Sequence, residues 1–255
     1  MERKIEKLLQ SGGDALVVGG SNGVGLAVAL TLARYCHVVI VDKVLPAISL
    51  PANVEFLQFD LTGEDFSLFD GNSMKSVDKL IITAGFGRLA LFKDYSEELL
   101  VNMMTVNATA VMRIVRHFYS RILSVNDFYC SVMVSIAGFM SSPFFAVYGA
   151  SKAALKIFIE SLNVELLKEG TSNRILNVSP GSLKGTAFNG QNNDLSQVLP
   201  FAEELIMHMM NKEDLFIPQY EEVYRQVLER YAVDFRAEGI HSYEYKQNSG
   251  RLKIK

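Results

Sequence analysis

The chain has 255 residues, 49% of them hydrophobic, with 25 Lys and Arg against 28 Asp and Glu and a formal net charge of −3. That length and mixture suit one globular domain with a sizeable core and exclude a disordered chain. A slightly acidic chain with no run of like charges offers no basic patch for nucleic acid or an anionic membrane. Two distant cysteines, Cys36 and Cys130, exclude a disulfide framework and point to buried thiols, with no metal site.

The opening MERKIEKLLQ alternates charge with apolar residues and lacks the apolar core of a signal peptide, so a cytoplasmic protein is expected. Apolar, β-branched runs then recur at 15–20 (ALVVGG), 37–42 (HVVIVD), 54–59 (VEFLQF), 79–85 (KLIITAG), 131–136 (SVMVSI) and 174–180 (RILNVSP). Each reads as a short buried strand. Helical patterns lie between them at about 24–35, 97–123 and 148–168. Near-continuous apolar strands alternating with helices predict an α/β fold, a doubly wound parallel sheet of Rossmann type in one domain. The uncharged stretch 128–151 is long enough to span a bilayer, but its five serines, two glycines and proline make it a strand, a loop and a helix start. The polar segment 185–193 and the Met-rich run after it predict a loop and short helix outside the sheet. They are read as a substrate lid over 185–210, against the plainer reading of a surface excursion.

Between the first strand and first helix lies VVGGSNGVGLAVAL, with Gly19, Gly23 and Gly25 at the junction. A helix N-terminus has unpaired N–H groups and the positive end of the dipole, and glycine lets a phosphate approach that backbone. Ser21, Asn22 and Val24 lie on the same turn. The second strand ends in Asp42, seventeen residues after Gly25, where a carboxylate can accept from ribose hydroxyls and would repel a 2′-phosphate. NAD is therefore expected over NADP, with Lys43 partly offsetting the repulsion.

These motifs lead to a family. VGGSNGVG resembles the TGxxxGxG cofactor motif of the classical short-chain dehydrogenases/reductases, with Val18 in place of the usual threonine. Asp60-Leu61 resembles the pair near the adenine ring, and Ile82-Thr83-Ala84-Gly85 the NNAG motif with both asparagines missing. Asn107 falls at the family's helix asparagine, Ser135 ends the fifth strand, Tyr148 and Lys152 form YxxxK, and Pro180-Gly181 resembles the PG motif. The resemblance covers about residues 12 to 190. It implies cofactor contacts at Gly19, Ser21, Asn22, Gly23, Val24, Gly25, Asp42, Asp60, Leu61, Ala84, Gly85, Tyr148, Lys152, Pro180, Gly181 and Thr186.

Tyr148 and Lys152, four apart in a helical pattern, share a face. A lysine ammonium nearby would favour the phenolate, an oxidised nicotinamide would add positive charge, and the tyrosine could then move a proton to or from an alcohol or ketone oxygen. Ser135, at the sheet edge that carries the crevice, can hydrogen-bond that oxygen. Asn107 interrupts an apolar helix; it either makes a helix–helix hydrogen bond or, as the resemblance implies, helps hold a water leading to the lysine. Asn107, Ser135, Tyr148 and Lys152 match the family's catalytic tetrad, which implies hydride transfer between a nicotinamide and a secondary alcohol or its ketone. Phe86, Phe92, Phe139, Met140, Phe144, Phe145 and Phe188 lie in loops expected at the crevice and favour an apolar substrate, with Arg88 and Lys184 as possible charged anchors. Residues 211–255 match the family poorly: the end is a frayed tail, a dimer contact or an added edge strand. A homo-oligomer, dimer or tetramer, is expected on family grounds. Two other readings stand beside this one. One is a cofactor-binding regulatory protein, opposed by the intact Tyr148, Lys152 and Ser135. The other is a nucleotide-sugar epimerase or dehydratase, opposed by the glycine spacing and the length.

Overall fold

A computed structural model describes residues 12–189 and 193–249. In chain order they form β1 (Asp14–Val18), α1 (Gly23–Leu32), β2 (Val38–Asp42), β3 (Val54–Gln58), β4 (Val77–Ile82), α2 (Glu97–Met104), a π-helical turn (Thr105–Thr109), α3 (Ala110–Ile122), β5 (Tyr129–Met133), α4 (Ala146–Lys168), β6 (Ile175–Val178), α5 (Leu195–Met210), β7 (Leu215–Phe216), a second π-helical turn (Tyr220–Tyr224), α6 (Arg225–Val233) and α7 (Phe235–Asn248). Every strand pair is parallel, in the order β3-β2-β1-β4-β5-β6-β7. The order reverses between β1 and β4, and at such a switch point the carboxyl ends of the strands open a crevice.

The strands are apolar along their length because helices cover both faces. Leu16, Val18, Val39, Val41, Leu80 and Ile82 point to one side, where they meet Val111, Ile114 and Phe118 of α3 and Leu155 and Ile159 of α4. Ala15, Val17, Val38, Ile40 and Ile81 point to the other, where α1 and α5 cover them. GVGLAVALTL has no polar face because α1 is enclosed by the sheet and α5.

That packing corrects one expectation. Leu195–Met210 is a core helix: Val198, Phe201, Ala202, Leu205, Ile206 and Met209 are buried against α1 and the sheet. Only the loop before it leaves the sheet, so a lid over 185–210 narrows to the described parts of that loop; 190–192 lie outside the described residues. The stretch 128–151 is strand, short turn and helix start, as expected. The run Glu97–Ile122 is long and apolar enough to cross a membrane by length and composition, yet it is interrupted by the π-helical turn and lays Met103, Val111, Ile114 and Phe118 into buried packing. The last described segment is helical, so the added edge strand is ruled out there; residues 250–255 lie outside the described residues.

Candidate active site

The glycine turn is built for close backbone approach. Gly19 has φ +86°, and a Cβ there would fall 2.5 Å from Ala84 N. At Gly25 a Cβ would meet Gly19 O at 2.2 Å and Thr83 Oγ1 at 2.5 Å. Thr83, standing where the family motif has asparagine, donates from its hydroxyl to Val18 O (3.2 Å) and Gly19 O (3.1 Å), so it ties the ends of β1 and β4 as a bond between strands. Asn22 caps α1 without a side-chain hydrogen bond. The first N–H groups of α1, at Gly23 and Val24, therefore take no side-chain cap from Asn22, and the glycine-lined turn fits a pyrophosphate. Thr186 and Asn193 reach over this turn: a Cβ at Gly23 would lie 3.8 Å from Thr186 Cγ2 and from Asn193 Oδ1. Thr186 itself donates to Leu183 O at 3.0 Å.

Asp42 stands at the end of β2 against this turn. Its carboxylate accepts from Ser21 N (3.0 Å) and Lys43 N (2.7 Å), and Ser21 Oγ donates to Val44 O. Each carboxylate oxygen retains an accepting direction, so the group holds the loop and still fits a ribose hydroxyl. Asp60, expected near an adenine ring, accepts from Thr62 N and Thr62 Oγ1, both at 2.9 Å. These bonds hold its carboxyl below the usual range, while Leu61 is buried in the core beside it.

The four tetrad residues arrive from three elements. Ser135 follows β5, accepts from Ala137 N at 3.1 Å and donates to Pro180 O at 3.4 Å, which joins the ends of β5 and β6. α4 turns a stripe of Tyr148, Lys152, Leu155, Ile159 and Leu166 inward, at spacings of three, four and seven that fall on one helical face. The Ser135 hydroxyl lies near enough to Tyr148 to favour its phenolate, and Lys152 Nζ lies 5.8 Å from the Tyr148 ring centre. Asn107 sits in the π-helical turn, which widens the helix at a functional position. It is fully buried and fully paired: Oδ1 accepts from Phe86 N (2.9 Å), and Nδ2 donates to Phe86 O (2.8 Å) and Ser151 Oγ (3.1 Å). These contacts clamp the loop after β4 to α4. Gly85 closes the same corner, since a Cβ there would lie 3.2 Å from both Asn107 Oδ1 and Lys152 Nζ.

Burial acts on both members of the Tyr–Lys pair. Burial pushes the Tyr148 phenol up to about 12, with the Ser135 hydrogen bond acting the other way, and burial pushes Lys152 down to about 7. Lys152 Nζ donates to Met133 O at 2.8 Å. Desolvation thus opposes charge on both groups.

Over Tyr148 lies an aromatic cover. Its ring centre is 5.4 Å from Phe145 and 5.3 Å from Phe188, and Phe188 also contacts the space above Gly87. Phe86 packs in the same cluster. The other expected crevice aromatics serve elsewhere. Phe144 stacks on Tyr243 at 4.5 Å, Phe92 is exposed against Tyr95, and Phe139 lies under Lys156. Arg88 is exposed, and its carbonyl accepts from Tyr95 Oη. Sequence reasoning missed Ser151, which accepts from Asn107 and donates to Tyr148 O at 2.7 Å. The signal was a small polar residue between Tyr148 and Lys152 in an inward-facing stripe.

The short chain dehydrogenase family model matches residues 14–196. The chain belongs to the short-chain dehydrogenase/reductase family. Its curated relatives include named dehydrogenases and oxidoreductases. Among relatives, it is 30% identical to Dehydrogenase RED2 of Cochliobolus heterostrophus, over 63% of each protein, so the match spans less than two thirds of that relative. It is also 30% identical to an uncharacterized short-chain type dehydrogenase/reductase, y4eK, of Sinorhizobium fredii, over 67% of this chain and 69% of that one. The chain also shares its fold with solved structures. A short-chain dehydrogenase from Streptomyces avermitilis matches with TM-score 0.74 at 20% identity, over 93% of this chain and 99% of that one. A Burkholderia cenocepacia short chain dehydrogenase in complex with NADP matches with TM-score 0.73 at 20% identity, over 91% and 97%. A 4-hydroxyisoleucine dehydrogenase complexed with NADH and succinate matches with TM-score 0.62 at 22% identity, over 80% and 96%.

Proposed function

We propose that this dehydrogenase interconverts a secondary alcohol and its ketone with NAD(H), the proton passing through Tyr148. The observation that carries the reading is the gathering of buried Tyr148, Ser135 and Lys152 at the carboxyl edge of the sheet, with the Ser135 hydroxyl near enough to Tyr148 to favour its phenolate. A nicotinamide dinucleotide, when bound, supplies or accepts the hydride. The turn of Gly19, Ser21, Asn22, Gly23, Val24 and Gly25 holds its pyrophosphate, and Asp42 takes the adenosine ribose. Asp60 and Leu61 flank the adenine, and Ala84, Gly85, Pro180, Gly181 and Thr186 line the remaining length. Lys152 holds the nicotinamide ribose. Ser135 orients the substrate oxygen and stabilises charge on it, and Tyr148 gives that oxygen its proton or takes it back. Asn107 is a positioning residue that keeps the loop after β4 in register with α4.

NAD is favoured over NADP because a carboxylate at Asp42 repels a 2′-phosphate. The substrate body is apolar, in keeping with Phe145 and Phe188 over Tyr148. Phe188 belongs to the loop after β6, and its seat on Tyr148 favours that loop as a lid. A homo-oligomer is supported by exposed Ile157, Val164 and Leu167, which follow each other at seven and three residues on the outer face of α4. A cytoplasmic location, with no membrane or nucleic-acid partner and no metal, completes the reading.

The test is a screen of secondary alcohols and ketones with NAD(H) and NADP(H), with Tyr148→Phe as control. Turnover with NADH is expected to exceed that with NADPH. The variant should lose on the order of 10²–10⁴-fold in kcat. Turnover that survives Tyr148→Phe removes the phenol from its role, and tighter NADPH binding overturns the Asp42 argument.

A further inference from the structure

The C-terminal helices are not a frayed end. Together with the turn before them they grip the crevice at two of its walls. One wall is the loop between Ser135 and α4. Lys246 Nζ of α7 donates to Ser142 Oγ (2.8 Å) and Pro143 O (3.0 Å) there, and Tyr243 stacks on Phe144. Phe144 holds φ +67°, a left-handed conformation that costs a bulky residue energy and persists where surrounding contacts enforce it. The Tyr243 stack and the Lys246 bond to the preceding carbonyl are such contacts. The other wall is Pro180-Gly181 at the end of β6. Tyr224 comes down on it from the second π-helical turn. A Cβ at Gly181 would fall 1.6 Å from Tyr224 Oη and 2.6 Å from its Cζ, so the phenol fills the space a side chain at 181 would take.

The neighbouring Pro180 carbonyl accepts from Ser135 Oγ, so Tyr224 Oη and the serine that orients the reacting oxygen flank the same two-residue turn. The Tyr224 hydroxyl makes no hydrogen bond among the described residues, although its ring is half-buried and burial raises its pKa. Tyr245 is the titratable group beside it. A half-buried phenol that packs its ring and has no protein partner for its hydroxyl can donate to and accept from a bound molecule.

We propose that Tyr224 is a specificity-determining residue whose hydroxyl hydrogen-bonds a second oxygen on the substrate. This rests on the alcohol–ketone reading above and deepens it. The preferred substrates carry, beyond the reacting carbon, a hydroxyl or carbonyl on the side facing Gly181, on a body otherwise apolar enough to lie under Phe145 and Phe188.

The experiment compares cyclohexanone with 3- and 4-hydroxycyclohexanone, reduced by the wild-type protein and by Tyr224→Phe with NADH and with NADPH. The wild type is expected to prefer a hydroxylated ketone by about tenfold in kcat/KM, the worth of one satisfied hydrogen bond. In Tyr224→Phe that ratio should fall toward one, with the loss in KM rather than kcat. Tyr224→His, which restores a hydrogen-bonding ring, should regain part of the ratio. No preference in the wild type, or a Tyr224→Phe ratio equal to the wild-type one, overturns the assignment. So does an equal loss on all three ketones, which would mark the phenol as packing only. Absence of wild-type turnover on every ketone overturns the alcohol–ketone reading itself, and the Tyr224 assignment with it. Turnover with an unmoved ratio overturns only the assignment.

Discussion

Tyr148 carries two opposing influences. Burial in an aromatic cluster stabilises its neutral form, and the Ser135 hydrogen bond stabilises the phenolate in part. With the phenol pushed up to about 12, the neutral form dominates through physiological pH. On the proposed alcohol–ketone reading, the neutral phenol is the reactive form in reduction. In oxidation it is the phenolate, whose fraction rises about tenfold per pH unit below the pKa. The expected kcat/KM for alcohol oxidation therefore climbs from pH 6 to pH 10, while that for ketone reduction is level and falls only as the phenol ionises. Initial rates in both directions over that range are the check. An oxidation limb that falls as pH rises would show that Tyr148 is not the base. This behaviour was not legible in YGASK. The spacing places phenol and ammonium on one face, but whether water reaches them depends on Phe145, Phe188 and the sheet, which come from distant parts of the chain.

At the scale of elements, the π-helical turn explains how an amide sits deep in an apolar helix. Asn107 donates two hydrogen bonds and accepts one, and in doing so it fixes Phe86 in the loop after β4 and Ser151 in α4. Asn107→Ala leaves the part-buried Phe86 N–H and carbonyl without their side-chain partner, at a cost of up to about 1–3 kcal/mol for each group left unsatisfied. The expected outcome is a lower melting temperature, together with faster amide exchange at residues 85–88 by mass spectrometry. A drop in kcat with no change in exchange would instead assign Asn107 to the chemistry. The helix itself was readable from its apolar spacing, as was the asparagine. The extra backbone hydrogen-bond step was not, because a π turn leaves no periodic signal in five residues. The two-residue strand β7 escaped for the same reason: Leu215 and Phe216 are too few to alternate, and their pairing is set by Asn177 and Val178 across the sheet.

For the whole molecule, the outer face of α4 carries the oligomer prediction. Replacing Ile157 and Val164 together by Asp puts two charges on the exposed apolar stripe, and a self-associated protein should then run at a smaller mass by light scattering coupled to size exclusion. If the wild type is already a monomer, the stripe is ordinary surface. The core is unaffected, since Leu155 and Ile159, which face the sheet, are untouched.

What the chain determines through local pattern is the alternation of strand and helix, the glycine turn, the inward stripe of α4 and the order of motifs from Val18 to Gly181. Each is a matter of neighbours within a few residues, where side-chain period and backbone freedom act directly. Tertiary structure alone decided that Leu195–Met210 is core and not lid, that Tyr148 and Lys152 are both desolvated, and that Tyr224 rests on Gly181. These depend on which distant surfaces meet and on the water expelled when they do, and neither is written in the spacing of any one segment.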